Sequence, residues 1–397
     1  MRFRAVQIRG KTLTLHFRPS TAAVLVLILY TTFTFIRLYK SDGDISQFIT
    51  AGDYFVDSTK TPSKISVLEN SVGYDGEFYY RLALDPFTQR IEDFGVRFDN
   101  PAFRQQRIGY PLLVWGLSFG NKAAIPALMV IVNLIALCGI AYFGALFARQ
   151  YQRSALWGTL IAIYPGFMMS FGRNLAEIVT AFWILAGLYA AQRKLFLTAA
   201  FIFTLAMFTR ETSLLVPGGV GVFLFYRYLK EGGSLRTNPW HLMLIPLFFH
   251  FLWSTFLSRH WNMPPISGGT QDLGIPFHGI IKFIHKNIAE TTLLAKVNLF
   301  FLLFCISIAG IAAFIFKSAK ADYYLKISWA LYAVLLITLS DVIWLSFSEF
   351  MRAYTEFFLL SVLLIISSQL FKQYMNVFIG AYVAFSWIIM SLFFYRN

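Results

Sequence analysis

Charge is scarce in this chain of 397 residues: 14% are Asp, Glu, Lys or Arg, against 57% hydrophobic and 18% aromatic. A soluble domain carries about a quarter charged residues, so a soluble enzyme is excluded as the starting class. Cysteine is scarcer still, with Cys138 and Cys305 alone, both inside apolar runs. Two such residues build neither a disulfide framework nor a metal site, and they read as packing residues. No Gly-rich phosphate loop of the Rossmann or Walker type occurs, so a nucleotide finds no support as a direct donor. There is no internal repeat, no low-complexity tract and no Asn-x-Ser/Thr sequon. The apolar runs are continuous and do not alternate, which argues against a transmembrane barrel.

Long apolar runs, by contrast, are abundant. Many reach the roughly 20 residues that carry a helix across about 30 Å of hydrocarbon. The expected fold is an all-α polytopic membrane protein, with about eleven crossings at 21–38, 123–148, 154–172, 175–192, 195–209, 212–229, 240–257, 291–316, 327–346, 354–371 and 374–394. The basic stretch Arg2, Arg4, Arg9, Lys11 and Arg18 before the first run reads as the flank of an uncleaved signal anchor. The net charge of +14 would suggest nucleic acid in a soluble protein. Here much of it sits in short loops, at Arg149/Arg153, Arg193/Lys194, Arg227/Lys230/Arg236, Lys317/Lys320/Lys326 and Lys372, where it marks the cytoplasmic side. The expected partner is a lipid bilayer, not a nucleic acid.

The other side then holds residues 39–110, a long first outward loop with short helices, and a second outward loop at 258–290, within one domain spanning 1–397. Those loops and the neighbouring turns carry mixed charge: Arg173 with Glu177, Arg210 with Glu211, Glu349, Arg352 and Glu356, and His260, Asp272, His278, Lys282 and His285. The run 195–209 rises only about 22 Å as a helix, so Arg210 and Glu211 lie below the membrane surface and face protein or a water-filled cavity. In 277–288, isoleucines line one face and Lys282, His285 and Lys286 the other, the pattern of a helix lying on the membrane surface.

The first loop holds Gly73-Tyr74-Asp75-Gly76-Glu77-Phe78-Tyr79-Tyr80-Arg81-Leu82-Ala83-Leu84-Asp85-Pro86. A carboxylate there could accept the proton of a hydroxyl that attacks an activated sugar. A second acid could hold a divalent metal ion on a phosphate, which leaves the cofactor open. Tyr74, Phe78, Tyr79 and Tyr80 offer faces on which a sugar could stack. A solvated loop with ordinary surface acids would present the same letters.

Tyr74 to Pro86, followed by Arg107-Ile108-Gly109-Tyr110-Pro111-Leu112-Leu113, resembles bacterial membrane glycosyltransferases of the GT-C superfamily, nearest those of cell-surface glycopolymer formation. It is similar, more distantly, to mannosyltransferases of the glycolipid-anchor pathway. Gly172-Arg173-Asn174-Leu175-Ala176-Glu177 and Thr209-Arg210-Glu211-Thr212 add to the likeness, which covers roughly the first 220 residues. The resemblance implies a polyprenyl-phosphate sugar donor, a glycan or lipid acceptor in the cell envelope, and a bacterial inner membrane with the active site on the non-cytoplasmic side. It implies Asp75 as catalytic base, with Glu77 beside it. Substrate binding then falls to Tyr74, Tyr79, Tyr80, Asp85, Arg107, Tyr110, Arg173, Glu177, Arg210, Glu211 and Arg352, the arginines facing the leaving phosphate. A plainer reading pairs Arg173 with Glu177 and Arg352 with Glu356, each four apart on a helix, as local neutralisation. Rival functions are a transporter or flippase of a lipid-linked sugar and an envelope assembly subunit without chemistry of its own. Conversion of a lipid-linked sugar by detergent-solubilised protein separates the first rival from an enzyme.

Overall fold

Hydrocarbon offers no partner to a backbone N–H or C=O, so a chain that crosses it must satisfy those groups within itself, as a helix does. The computed structural model describes residues 7–8, 11–12, 17–231, 234–370 and 373–396, and is mostly helical. Arg2, Arg4, Arg9 and Lys372 lie outside the described residues. In chain order the helices are α1 (Pro19–Lys40), α2 (Gly76–Leu84), α3 (Pro101–Gln106), α4 (Gly109–Ser118), α5 (Ile125–Gln150), α6 (Leu156–Ala162), α7 (Pro165–Phe171), α8 (Glu177–Gln192), α9 (Phe196–Thr209), α10 (Leu215–Glu231), α11 (Leu244–Trp261), α12 (His278–Ala289), α13 (Leu293–Ile315), α14 (Tyr323–Ile337), α15 (Phe347–Ala353), α16 (Thr355–Ser367) and α17 (Gln373–Arg396). Three two-residue strand pairs accompany them, two of them inside the first loop.

Among the described residues, six stretches are long and apolar enough to cross a membrane, or seven with the bent pair α15–α16 counted as one: Pro19–Lys40, Lys122–Gln150, Glu211–Glu231, Trp240–Trp261, Leu293–Ile315 and Asn376–Phe394. The chain is a multi-pass helical membrane protein. The side chains agree with the lengths. On α1, Ala22, Val26, Tyr30 and Phe33 face the bundle, while Leu25, Ile28 and Phe35 stand exposed on the other side. An apolar face left outward around such helices suits a hydrocarbon solvent.

The expectation of about eleven full crossings is not met by length alone. α8, α9 and α14 are shorter apolar helices. The run expected to cross at 154–172 is broken into α6 and α7. Pro165 lacks an N–H, and it pushes Tyr164 out of the helical region, to φ −55° and ψ 130°. Likewise α15 and α16 meet at a bend of 58°. The breaks fit together: the Tyr164 hydroxyl donates to Met351 O in α15 at 2.7 Å, and its ring stacks on Phe358 of α16 at 4.1 Å. Most buried apolar side chains form one cluster, with members from Ala22 to Met390, and Phe78, Leu82 and Phe98 form a second in the first loop.

The two loops are built structures. α2 is buried along its whole length, from Gly76 to Leu84. Trp253 and Trp261 of α11 donate to Gln106 O and Gln105 Oε1 of α3. The second loop is pinned to the end of α14 by Gly274 N to Thr338 O, Ser340 N to Asp272 O and Phe277 N to Ile337 O. α12 buries Gly279, Phe283 and Asn287 and leaves Ile281 and Ile288 exposed.

Candidate active site

Gly76 explains how the first loop reaches the bundle. A Cβ there would sit 2.3 Å from Arg173 O and 2.4 Å from Ile49 O, so only glycine lets the start of α2 lie on that backbone. Asp75 precedes it at the N-terminus of α2, but its side chain does not cap the helix. Its two oxygens are taken instead by Arg104 Nη1 at 2.8 Å and Arg352 Nη2 at 2.7 Å. Burial works against the charge of Asp75, yet Arg104, Arg352 and Arg107 outweigh it and hold the carboxyl well below the usual carboxylate range.

Arg352 joins three parts of the chain. It donates from Nε to Glu177 Oε1 at 2.9 Å, binds Asp75, and lies 3.6 Å from Glu349. Tyr74 is held between Arg173, 4.0 Å from its ring centre, and Arg352, at 4.9 Å, while its hydroxyl donates to Glu349 at 2.8 Å. Beside this group, Arg107 forks onto Glu211 at 3.0 and 2.6 Å, and Arg210 donates to Glu356 at 3.0 and 3.2 Å and to Arg352 O at 3.3 Å. The local pairs Arg173–Glu177 and Arg352–Glu356 do not form. Asn174, at φ +51°, separates Arg173 from the start of α8, and the α15–α16 bend separates Arg352 from Glu356. The partners are exchanged across the bundle, Arg352 with Glu177 and Arg210 with Glu356.

Next to this network lies a cavity of about 540 Å³. Its lining combines polar side chains, Arg107, Arg210, Glu211, Thr212, His250, Asp272 and Glu356, with apolar ones, Leu247, Phe251, Leu335, Leu339 and Ile343. Arg210 Nε, Thr212 Oγ1 and His250 Nδ1 are buried on it without a hydrogen-bond partner among the described residues. Such groups are costly to leave unmatched and mark where a ligand's polar atoms can be received. Asp75 does not line the cavity. Its side chain, 20% exposed, is bound beside the cavity to Arg104 and Arg352, whose chain neighbours Phe103 and Ala353 do line it.

Some expected residues stand elsewhere. Glu77 is fully buried and turned from Asp75; its Oε2 accepts Gly52 N–H at 2.8 Å, and burial pushes its pKa up to about 8 against that bond. Asp75 and Glu77 therefore do not form a pair, and no group of three His, Cys, Asp or Glu among the described residues is arranged to hold a metal ion. Tyr79 packs against Tyr110, whose hydroxyl donates to Met129 O and accepts from Asn133. Tyr80 is buried in the core. Asp85 ends α2, at the opposite end from Asp75. His260 meets Thr88 O at 2.9 Å, and Asp341 pairs with Lys282, so neither belongs to the cluster. Sequence reasoning passed over Arg104 and His250, and named Thr212 only as part of the Thr209–Thr212 signature. For Arg104 a signal exists: Asp99, five residues earlier, is of opposite sign and takes its Nε and Nη2 at 2.9 and 2.6 Å.

No family model matches the chain, and no curated protein or solved structure proved similar to it.

Proposed function

We propose that the chain is a GT-C-type membrane glycosyltransferase that moves one sugar from a polyprenyl-phosphate donor to an outward-facing glycan or lipid acceptor in the envelope of a bacterium, with inversion. The observation that carries this reading is the joining of Asp75 to Arg352, 277 residues later in the chain, beside a cavity lined by both charged and apolar side chains. In this reading the long helices, the bent and broken pairs and the three shorter apolar helices together make about eleven crossings of the inner membrane, and the site faces away from the cytoplasm.

The donor's lipid tail lies on Leu247, Phe251, Leu335 and Leu339, and its phosphate meets Arg210. Guanidinium groups stay protonated and hold the charge that builds on the leaving phosphate. A phosphate also competes with Asp75 for Arg352. As Arg352 turns to it, Asp75 loses one of the three cations that suppress its basicity and can accept a proton. The acceptor oxygen then bonds to the anomeric carbon, the carbon–oxygen bond to phosphate breaks with its electron pair leaving on the phosphate, and the hydroxyl proton passes to Asp75.

The test is D75N, purified in detergent and supplied with undecaprenyl-phosphate sugars and envelope extracts as acceptor. Transfer should fall by about 10²–10⁴-fold, the usual contribution of a general base, in protein that still unfolds cooperatively. Normal turnover by D75N removes the mechanism. Transfer by the wild-type protein in detergent, with no membrane gradient, also separates an enzyme from a flippase.

A further inference from the structure

Three carboxylates line the cavity, and they are not equivalent. Glu211 is matched by Arg107 and Glu356 by Arg210. Asp272 has neither an ion pair nor a hydrogen bond to its carboxylate among the described residues, although Arg107 and Arg210 face the same space. Its backbone is fixed: the N–H donates to Gly269 O, and the carbonyl accepts Ser340 N–H at 2.8 Å. Asp272 is thus held rigidly on the second loop with its side chain left for a ligand.

We propose that Asp272 is the sugar-reading residue of this cavity, its carboxylate accepting hydrogen bonds from ring hydroxyls of the transferred sugar. This rests on the glycosyl-transfer reading above. The chemistry selects the ligand. A second carboxylate, acid or phosphate at that point would be repelled, whereas a pair of neighbouring hydroxyls can donate to both oxygens of one carboxylate. The positions agree with this. The apolar lining takes the tail, Arg210 with the unmatched Thr212 Oγ1 and His250 Nδ1 takes the phosphate, and Asp272 stands on the loop side where the sugar must project. Asp75, bound by two arginines beside the cavity, does not contend for that role.

Partial burial raises the Asp272 pKa, opposed by Arg107 and Arg210 and assisted by Glu211 and Asp75. Asp272 should therefore gain its proton at a higher pH than an exposed aspartate, and sugar recognition should weaken as pH falls through that value.

The experiment measures binding to purified wild-type and D272N protein in detergent. The probes are undecaprenyl phosphate alone and the same lipid carrying glucose, mannose, galactose or arabinose. Wild-type protein should prefer one sugar-bearing lipid over the bare lipid by about tenfold or more, the strength of a hydrogen bond to a charged group. D272N should bind the bare lipid as wild-type does, which reports an intact site, and lose the preference. On acidification the wild-type preference should shrink while D272N stays flat. A D272N protein that keeps the preference overturns the role of Asp272 and leaves the transferase reading standing. Wild-type protein that binds no sugar-bearing lipid better than the bare one overturns both.

Discussion

Arg210 and Glu356 show what a single buried charge does here. Glu356 is 1% exposed and Arg210 12%, so each charge is compensated by the other and not by water. Replacing Arg210 by Met should cost about 3–5 kcal/mol by stranding the carboxylate. Adding E356Q should recover most of that loss, because the desolvated charge is then gone. Thermal unfolding of R210M and R210M/E356Q in detergent measures both values, and equal midpoints for the two variants would argue against the pairing. Transfer activity should stay low in both, since the phosphate loses its cation either way. Glu77 makes a different prediction through pH. Its folded pKa of about 8 lies above the ordinary glutamate value of 4.5, so between those values the folded protein keeps a proton that the unfolded chain has released. Its contribution to stability is full below about pH 4.5 and is lost as pH rises through 8. The wild-type unfolding midpoint should therefore fall between pH 5 and 9 by more than that of E77Q, whose amide does not titrate and can still accept Gly52 N–H.

Among the elements, α2 decides whether the site exists. Its glycine is not needed for an unusual backbone angle: Gly76 is absent from the positive-φ residues, so alanine is conformationally allowed there. The obstacle is contact alone, a Cβ at 2.3 Å from Arg173 O and 2.4 Å from Ile49 O, both backbone atoms that cannot swing away. G76A should cost about 1–3 kcal/mol as overpacking does, and should lift Asp75 from Arg352. Activity should fall further than stability, with the wild-type affinity for undecaprenyl phosphate alone retained, because Arg210 and the apolar lining lie outside α2. Loss of bare-lipid binding would place α2 inside the donor pocket. This element was legible in part. Acids and aromatics marked 73–86 as a site within a loop expected to hold short helices, and α2 does run there, from Gly76 to Leu84. Which acid faces the arginines was not legible, because Asp75 and Glu77 differ only in the direction imposed by their turn. The exchanged pairs were not legible either: i,i+4 spacing suggests partners on an unbroken helix, and both helices in question are interrupted.

For the whole molecule, hydropathy revealed where the apolar runs lie more reliably than how they are divided, since it does not register the break at Pro165 or the 58° bend at Tyr354. Those two breaks pack on each other and help bring α15, with Arg352, to the side of the first loop, so the interruptions that length counting misreads serve the site. Orientation follows from the charge pattern and is open to a direct test. Lys194, in the turn between α8 and α9, belongs to the basic loops, and Thr270 lies in the second loop, with Asp272 two residues on; both are exposed. In a background without Cys138 and Cys305, K194C and T270C report the two sides. A membrane-impermeant maleimide should label T270C in intact cells and K194C only after lysis, by the bias of Lys and Arg toward the cytoplasm. The reverse pattern would turn the cluster of Asp75, Arg210 and Arg352 to the cytoplasm. A polyprenyl-phosphate donor presented from outside could then not reach it, and the transferase reading would fail on topology whatever the side chains can do.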